Sequence, residues 1–230
     1  VRVADSWAGV NFGFIQIPRI NQEVLVEFME GDPDRPVITG RVYNTDLMPP
    51  WQLPEQKTLS GIQSREFRGA QRNQLLLDDT SGEVQAQLSS DHQLSQLNLG
   101  YLTRVNHVEG RKDFRGEGFE LRTDGWGVIR AAKGLYVSTD ARFSAEEHQK
   151  DVREAVKNLE AAGQQHKDHA SLAEVHRARD HGEEVQPLNI SLDRQNSEVN
   201  GNGKHGELAA PQMVMSSPAG IALTTPESTH

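Results

Sequence analysis

The chain has 230 residues, a formal net charge of −9, 35% hydrophobic and 6% aromatic side chains, and no cysteine. Disulfides and cysteine-ligated zinc are excluded, the acidic balance argues against a general nucleic-acid binder, and no run approaches the ~18 apolar residues of a membrane-spanning helix. A chain this polar has either a thin core or a core shared with other chains.

Residues 1–44 read as β structure. In Glu23–Phe28, Val24, Val26 and Phe28 fall on one face and Glu23, Leu25 and Glu27 on the other, the period of two expected of a strand. Gly31-Asp32-Pro33-Asp34 is a turn signal, and Val37–Tyr43 supplies the next strand. Residues 45–60 carry three prolines and little periodicity, which predicts a semi-extended linker acting as a strut.

Residues 61–143 hold short alternating runs with frequent turns. Val84, Ala86 and Leu88 share a face, as do Phe119, Leu121 and Thr123, with Glu120, Arg122 and Asp124 opposite. Residues 144–185 change to a helical pattern. Ser144 and Glu147 form a capping-box signature, and Val152, Val156 and Leu159 make a stripe. A second run carries Leu172 and Val175 on to Arg179, with Gly163 as the expected turn and Gly182 as the stop. A helical hairpin returns the chain to where it left, so this stretch is expected to be an insertion. Residues 186–230 are read as a polar loop followed by renewed β pattern at Met213–Ser217 and Ile221–Thr225.

Turn markers in the β regions recur at short intervals: Pro218 to Pro226 is eight residues, Gly118 to Gly127 nine, and Gly127 to Gly134 seven. A unit of about eight residues is one strand plus one tight turn, as in β-solenoids and intertwined β-helices, whose core a single chain cannot close. An antiparallel meander fits the spacing equally well.

Residues 1–44, through Pro18-Arg19, Glu23–Val26, Gly31–Pro36 and Gly40–Asn44, resemble the OB-fold segment of the VgrG spike proteins of type VI secretion systems. Residues 116–142, GEGFELRTDGWGVIRAAKGLYVSTDAR, look like the segment opening the β-prism needle of that family. Asn21 stands where the motif commonly has Gly, and Asn tolerates the left-handed backbone better than other non-Gly residues.

The resemblance implies a mainly β fold: an OB-type barrel segment, then a trimeric intertwined β-helix or β-prism needle interrupted by the helical hairpin. The chain is expected to be a segment of a longer protein. The family is also similar to the central spike of contractile phage tails, which can carry a lysozyme between barrel and needle. Here that junction is the short linker 45–60. The implied function is mechanical: a homotrimeric spike driven into a target cell by sheath contraction, cytoplasmic before firing and then translocated with effector cargo. Implied partners are two further copies of the chain, an effector or adaptor protein, and the secretion tube protein and a PAAR-type tip through regions outside this sequence. The membrane is met only during puncture. No cofactor, metal or catalytic residue is expected.

On this reading Phe119, Leu121, Leu135, Val137, Val84, Leu88, Ile221 and Leu223 should point toward a trimer axis. Glu120, Arg122, Ser138 and Asp140 should face solvent. Val152, Val156, Leu159, Leu172 and Val175 are candidate cargo or adaptor contacts.

The chemical motifs are weak. Gly125-Trp126-Gly127 lacks the remaining glycine and the helix of a dinucleotide loop, and is read as a turn with one packed Trp. His166, His169 and His176 lie on roughly one helical face, with His181 nearby, but without the Glu of H-E-x-x-H they are read as a solvated face or a seam between helices. Asp78 and Asp79, beside Ser81-Gly82, are read as turn formers and His107 as an isolated loop residue. The alternative to a purely structural chain is an enzyme-bearing or metal-binding one, acting through the His-rich helices or a C-terminal effector domain.

Overall fold

In the computed structural model, residues 1–178, 185–201 and 205–225 are described. They divide into two compact units at Gly127.

The first unit opens with β1 (Arg2–Val3) and a small hairpin of β2 (Ala8–Gly9) and β3 (Phe12–Gly13). Strands β4 (Glu23–Phe28) and β5 (Pro36–Val42) pair antiparallel, and β1 adds to β5 in parallel. The β4–β5 turn is held by its own side chain: Asp32 Oδ1 accepts the Asp34 N–H at 3.0 Å. Asn21 has φ of 76°, the left-handed conformation for which Asn substitutes best for Gly. A register shift at Leu25/Val26 interrupts the period-2 alternation, since Leu25 faces Gly40 and Val26 faces Ile38.

The same unit continues as a five-stranded antiparallel meander of β6 (Leu59–Gln63), β7 (Asn73–Asp78), β8 (Gln85–Ser90), β9 (Ser95–Asn106) and β10 (Gly110–Arg122). The expected eight-residue unit does not describe this region. Strand β10 runs 13 residues, and Gly118 lies inside it, paired with Gly100, rather than in a turn. The reason is steric. Both glycines have positive φ, 107° and 96°, and a Cβ on Gly100 would stand 2.3 Å from the Val84 carbonyl oxygen. Gly100 permits a close backbone approach within the sheet, and both glycines take a conformation that other residues rarely adopt.

The proline-rich segment is more than a strut. Trp51 is buried against Leu59 and Leu76, with Val105 packed on the cluster, and β6 begins within the segment. The Gln52 N–H donates to the Val108 carbonyl at 3.2 Å and Gln56 Oε1 accepts the Arg111 N–H at 3.0 Å. The segment is thereby tied to the turn joining β9 and β10.

In the second unit, β11 (Leu135–Ser138) and β12 (Met213–Ser216) pair in parallel, Leu135 opposite Met213 and Ser138 opposite Ser216. Between them the chain makes α1 (Arg153–Val175) and α2 (Val185–Val199), so the helices are an insertion between two neighbouring strands. Their positions differ from the sequence reading. Ser144 and Glu147 have φ of 61° and 68°, which no capping box accommodates. The helix is instead started by Asp151, whose Oδ1 accepts the Arg153 N–H at 3.0 Å. Helix α1 passes through Gly163 unbroken, where a Cβ would meet the Asn196 amide of α2 at 3.6 Å. A glycine costs a helix only about 1 kcal/mol relative to Ala, which a long helix packed on a neighbour tolerates. Helix α2 occupies much of the stretch read as polar loop. Arg179, His181, Gly182 and Pro226 lie outside the described residues.

Candidate functional site

Alternation along the meander gives it two unlike faces. On one, Gln63 Nε2 donates to Gln74 Oε1 at 3.0 Å, Gln74 Nε2 to Gln87 Oε1 at 2.8 Å, Gln87 Nε2 to Asn98 Oδ1 at 2.8 Å, and Asn98 Nδ2 to Glu120 Oε2 at 2.9 Å. One side chain from each strand takes part, so the ladder crosses the whole sheet. Gln74, Gln87 and Asn98 are buried, and this chain of bonds gives each a partner on both sides. Hydrogen bonding from Arg115 closes the ladder and holds the Glu120 carboxyl below its usual range. Glu120 therefore belongs to a half-buried polar network rather than facing solvent freely.

The opposite face carries Leu75, Leu77, Leu88, Leu99, Phe119 and Leu121; Leu75 is in register with Leu88, Leu99 with Phe119, and Leu121 with the half-buried Leu97. All six are exposed in the single chain, Phe119 at 77% and Leu121 at 68%. The chain buries amides and displays leucines, the reverse of an ordinary one-sided sheet. A contiguous apolar patch of this kind marks an interaction surface.

Four of the expected axis residues, Val84, Leu88, Phe119 and Leu121, fall on or at the edge of this face and are exposed. Leu135 is half-buried and Val137 exposed, opposite Met213 and Met215 of β12. Ile221 and Leu223 are exposed beyond β12, outside regular structure. Of the residues expected in solvent, Arg122 and Ser138 are exposed. Asp140 is half-buried; it accepts the Ser138 hydroxyl at 2.7 Å and the Ser216 hydroxyl at 2.8 Å, which lowers its pKa. Trp126, expected to pack in a turn, is fully exposed.

The helical insertion is held at its base by an ionic cluster. Arg142 Nε donates to Glu154 Oε1 at 2.9 Å, and its Nη2 reaches the Asp151 carbonyl at 3.0 Å. Arg153 pairs with Asp151 at 2.6 Å and Glu147 at 2.7 Å. The bond from Arg142 depresses the pKa of Glu154, and that from Arg153 depresses the pKa of Asp151. Val152, a candidate cargo contact, is 1% exposed; its N–H donates to the Gly206 carbonyl at 3.3 Å, and it is a packing residue of this base. Val156 and Leu159 are half-buried and, with Asn196 and Asn200, line a cavity of about 260 Å³ between the helices. Leu172 and Val175, at 55% and 76% exposure, remain on the surface.

Three features had no local signal. His148 and His205 stack with ring centroids 3.8 Å apart and an interplanar angle of 11°. Asp78, read as a turn former, is wholly buried and paired with Arg111 Nε at 2.9 Å. His107 is joined to Asp91, Nε2 to Oδ1, at 3.1 Å. Among the described residues, no group of three or more His, Asp or Glu side chains is arranged to hold a metal ion. His166, His169 and His176 are exposed, and His181 lies outside the described residues.

Comparison with known proteins now adds a family context. Residues 1–43 match the type VI secretion system/phage-baseplate injector OB domain, and residues 65–173 match the putative type VI secretion system Rhs element Vgr. The type VI secretion system spike proteins VgrG2b and VgrG2a of Pseudomonas aeruginosa are each 42% identical over 96% of this chain, which spans 22% and 26% of their lengths. A structure of the Tle1 effector bound to the VgrG spike aligns with 75% of this chain and 47% of that one, at TM-score 0.59 and 29% identity. The VgrG spike itself aligns with 75% of this chain and 58% of that one, at 0.55 and 30%. The actin cross-linking toxin VgrG1 of Vibrio cholerae is 42% identical over 46% of this chain, a match to 10% of the toxin.

Proposed function

Since the chain belongs to the VgrG family of type VI secretion spike proteins, we propose that it forms the barrel-to-needle segment of a homotrimeric, cell-puncturing spike that carries effector cargo. The exposed apolar face of the meander is the observation that carries the homotrimer. Three chains presenting Leu88, Leu99, Phe119 and Leu121 to one another bury the surface that one chain leaves in water. The amide ladder behind this face fixes the strands in register, so that the apolar rows of the three copies meet squarely. The chain acts mechanically, without catalysis of its own, and is held in the cytoplasm until the sheath contracts.

Mass by light scattering tests the assembly. The expected particle is three times the 25.6 kDa chain. A monomer with intact β circular dichroism at high concentration would sink the shared-core reading.

Cargo docking is assigned to the outer surface of the insertion, with Leu172 and Val175 as its exposed apolar contacts. The support is that the insertion leaves the strand pairing of β11 and β12 intact, and that a related spike has been solved with an effector bound. Substituting Leu172→Asp and Val175→Asp together is expected to leave the helical signal unchanged, since neither side chain is buried. Co-purification of the cognate effector should fall at least about tenfold, in line with the loss of two interface contacts of ~1 kcal/mol or more. Undiminished co-purification would place the docking surface elsewhere.

A further inference from the structure

The base of the insertion is where the chain entering α1 meets the chain returning from α2. Contacts that join the two include the Val152 N–H to the Gly206 carbonyl, the packing of Gly206 beside Asp151, and the His148–His205 stack. Gly206 lies at φ of 66° with its Cβ position 3.4 Å from Asp151 Oδ1, so the returning chain runs close against the start of the helix.

We infer that the His148–His205 stack is a pH-sensitive latch, closed while at least one imidazole is neutral and opened when both are protonated. Two parallel rings at 3.8 Å tolerate a single shared charge, because a neutral imidazole offers its π face to an imidazolium. Two imidazolium ions at that spacing repel directly. His148 has a further constraint. Its Nδ1 accepts the Lys150 N–H at 3.2 Å, so the neutral ring carries its proton on Nε2. Adding a proton at Nδ1 forfeits that bond.

The surrounding charges divide into those already committed and those at the rim. On the entering side, Asp151 and Glu147 are paired with Arg153, and Glu154 with Arg142, whose Nη1 also reaches the His148 carbonyl at 3.3 Å. Glu146 and Asp140 line a pocket together with His148, and Lys150 lies two residues along. On the returning side, Glu207 Oε2 accepts the His205 N–H at 3.1 Å. These carboxylates flank the stack. They do not separate two charged rings.

The carboxylates of Asp151, Glu154 and Glu207 are each held below their usual range, the last by backbone N–H groups including that of His205. A depressed carboxylate contributes stability above its ordinary pKa and loses it only as pH falls through the lower folded value. Between about pH 7.5 and about pH 5 these three carboxylates keep their charge, and imidazole is the side-chain type that ordinarily changes charge in that range.

Hydrogen exchange of the full chain tests the latch. Corrected for intrinsic rates, protection at the Val152 amide is expected to fall about tenfold or more between about pH 7.5 and about pH 5, while amides of the β7–β8 pair keep theirs. In His148→Phe/His205→Phe, which keeps stacked rings without a titratable charge, protection should be flat over that range. If the double variant loses its helical signal at about pH 7.5, His205→Phe alone serves, because it leaves His148 beside a neutral ring. An equal loss of protection in wild type and variant overturns the proposal.

Discussion

Replacing Arg111 with methionine is expected to destabilise the first unit by ~3–5 kcal/mol, the cost of leaving a buried charge without its partner. Asp78 is wholly inaccessible. One carboxylate oxygen is satisfied by the Thr80 N–H at 3.0 Å and hydroxyl at 2.6 Å, and the other by Arg111 Nε at 2.9 Å. Thr80 is neutral, so Arg111 is the counter-charge. The guanidinium also binds Glu83, lies 5.9 Å from the Tyr101 ring, and is only 23% exposed. Methionine keeps most of the volume and removes the charge, so the loss reads electrostatics rather than a cavity. Glu83→Gln is the control. That carboxylate is 36% exposed, and its removal should cost no more than ~1 kcal/mol. Asp78→Asn in the Arg111→Met background should recover part of the loss, because the amide keeps an acceptor for Thr80 without a charge to strand. Urea unfolding at fixed chain concentration measures all four proteins. Equal effects for Arg111→Met and Glu83→Gln would show that Asp78 does not depend on this partner.

What the sequence disclosed follows from the range of the interactions involved. The β4–β5 turn and the left-handed Asn21 are set by a few adjacent residues and could be read directly. So could the two faces of the meander, because alternation is a local property of Gln85–Ser90 and Phe119–Arg122. Which face the chain buries could not be read. Burial of the amide face depends on a ladder whose members, from Gln63 to Glu120, lie on five different strands. The same holds for Asp78, where a turn-forming residue is also the partner of an arginine more than thirty positions away. The helix boundaries failed for a different reason. Ser144 and Glu147 have the right spacing for a cap, but the arginines at 142 and 153 engage Glu147, Asp151 and Glu154, and the cluster sets the backbone there. Gly163 reads locally as a break, but a single glycine costs a helix only about 1 kcal/mol, and α1, packed on α2, runs through it. Family resemblance rested on long motifs in residues 1–44 and 116–142, and those motifs survived such local errors.

Phe119→Asp with Leu121→Asp is expected to convert the assembled particle to monomers while leaving the chain folded. The two residues are among the most exposed apolar side chains of the meander and take no part in the Trp51–Leu59–Leu76 cluster. Their loss therefore costs little within one chain. In a homotrimer the pair would contribute ~1.5–3 kcal/mol per side chain from burial, multiplied over three copies. The aspartates add repulsion between like charges brought together at the axis. Light scattering should report the single-chain mass, and far-UV circular dichroism should retain its β signal. Arg122→Asp in the same strand changes charge by a comparable amount on the other face, at an exposed position, and should leave assembly intact. A double variant that still forms a particle of three chains would mean that the apolar face of β10 is not the shared core. The exposed leucines of β7, β8 and β9 would then need a different partner. Dissociation of both variants would point to net charge rather than to this surface.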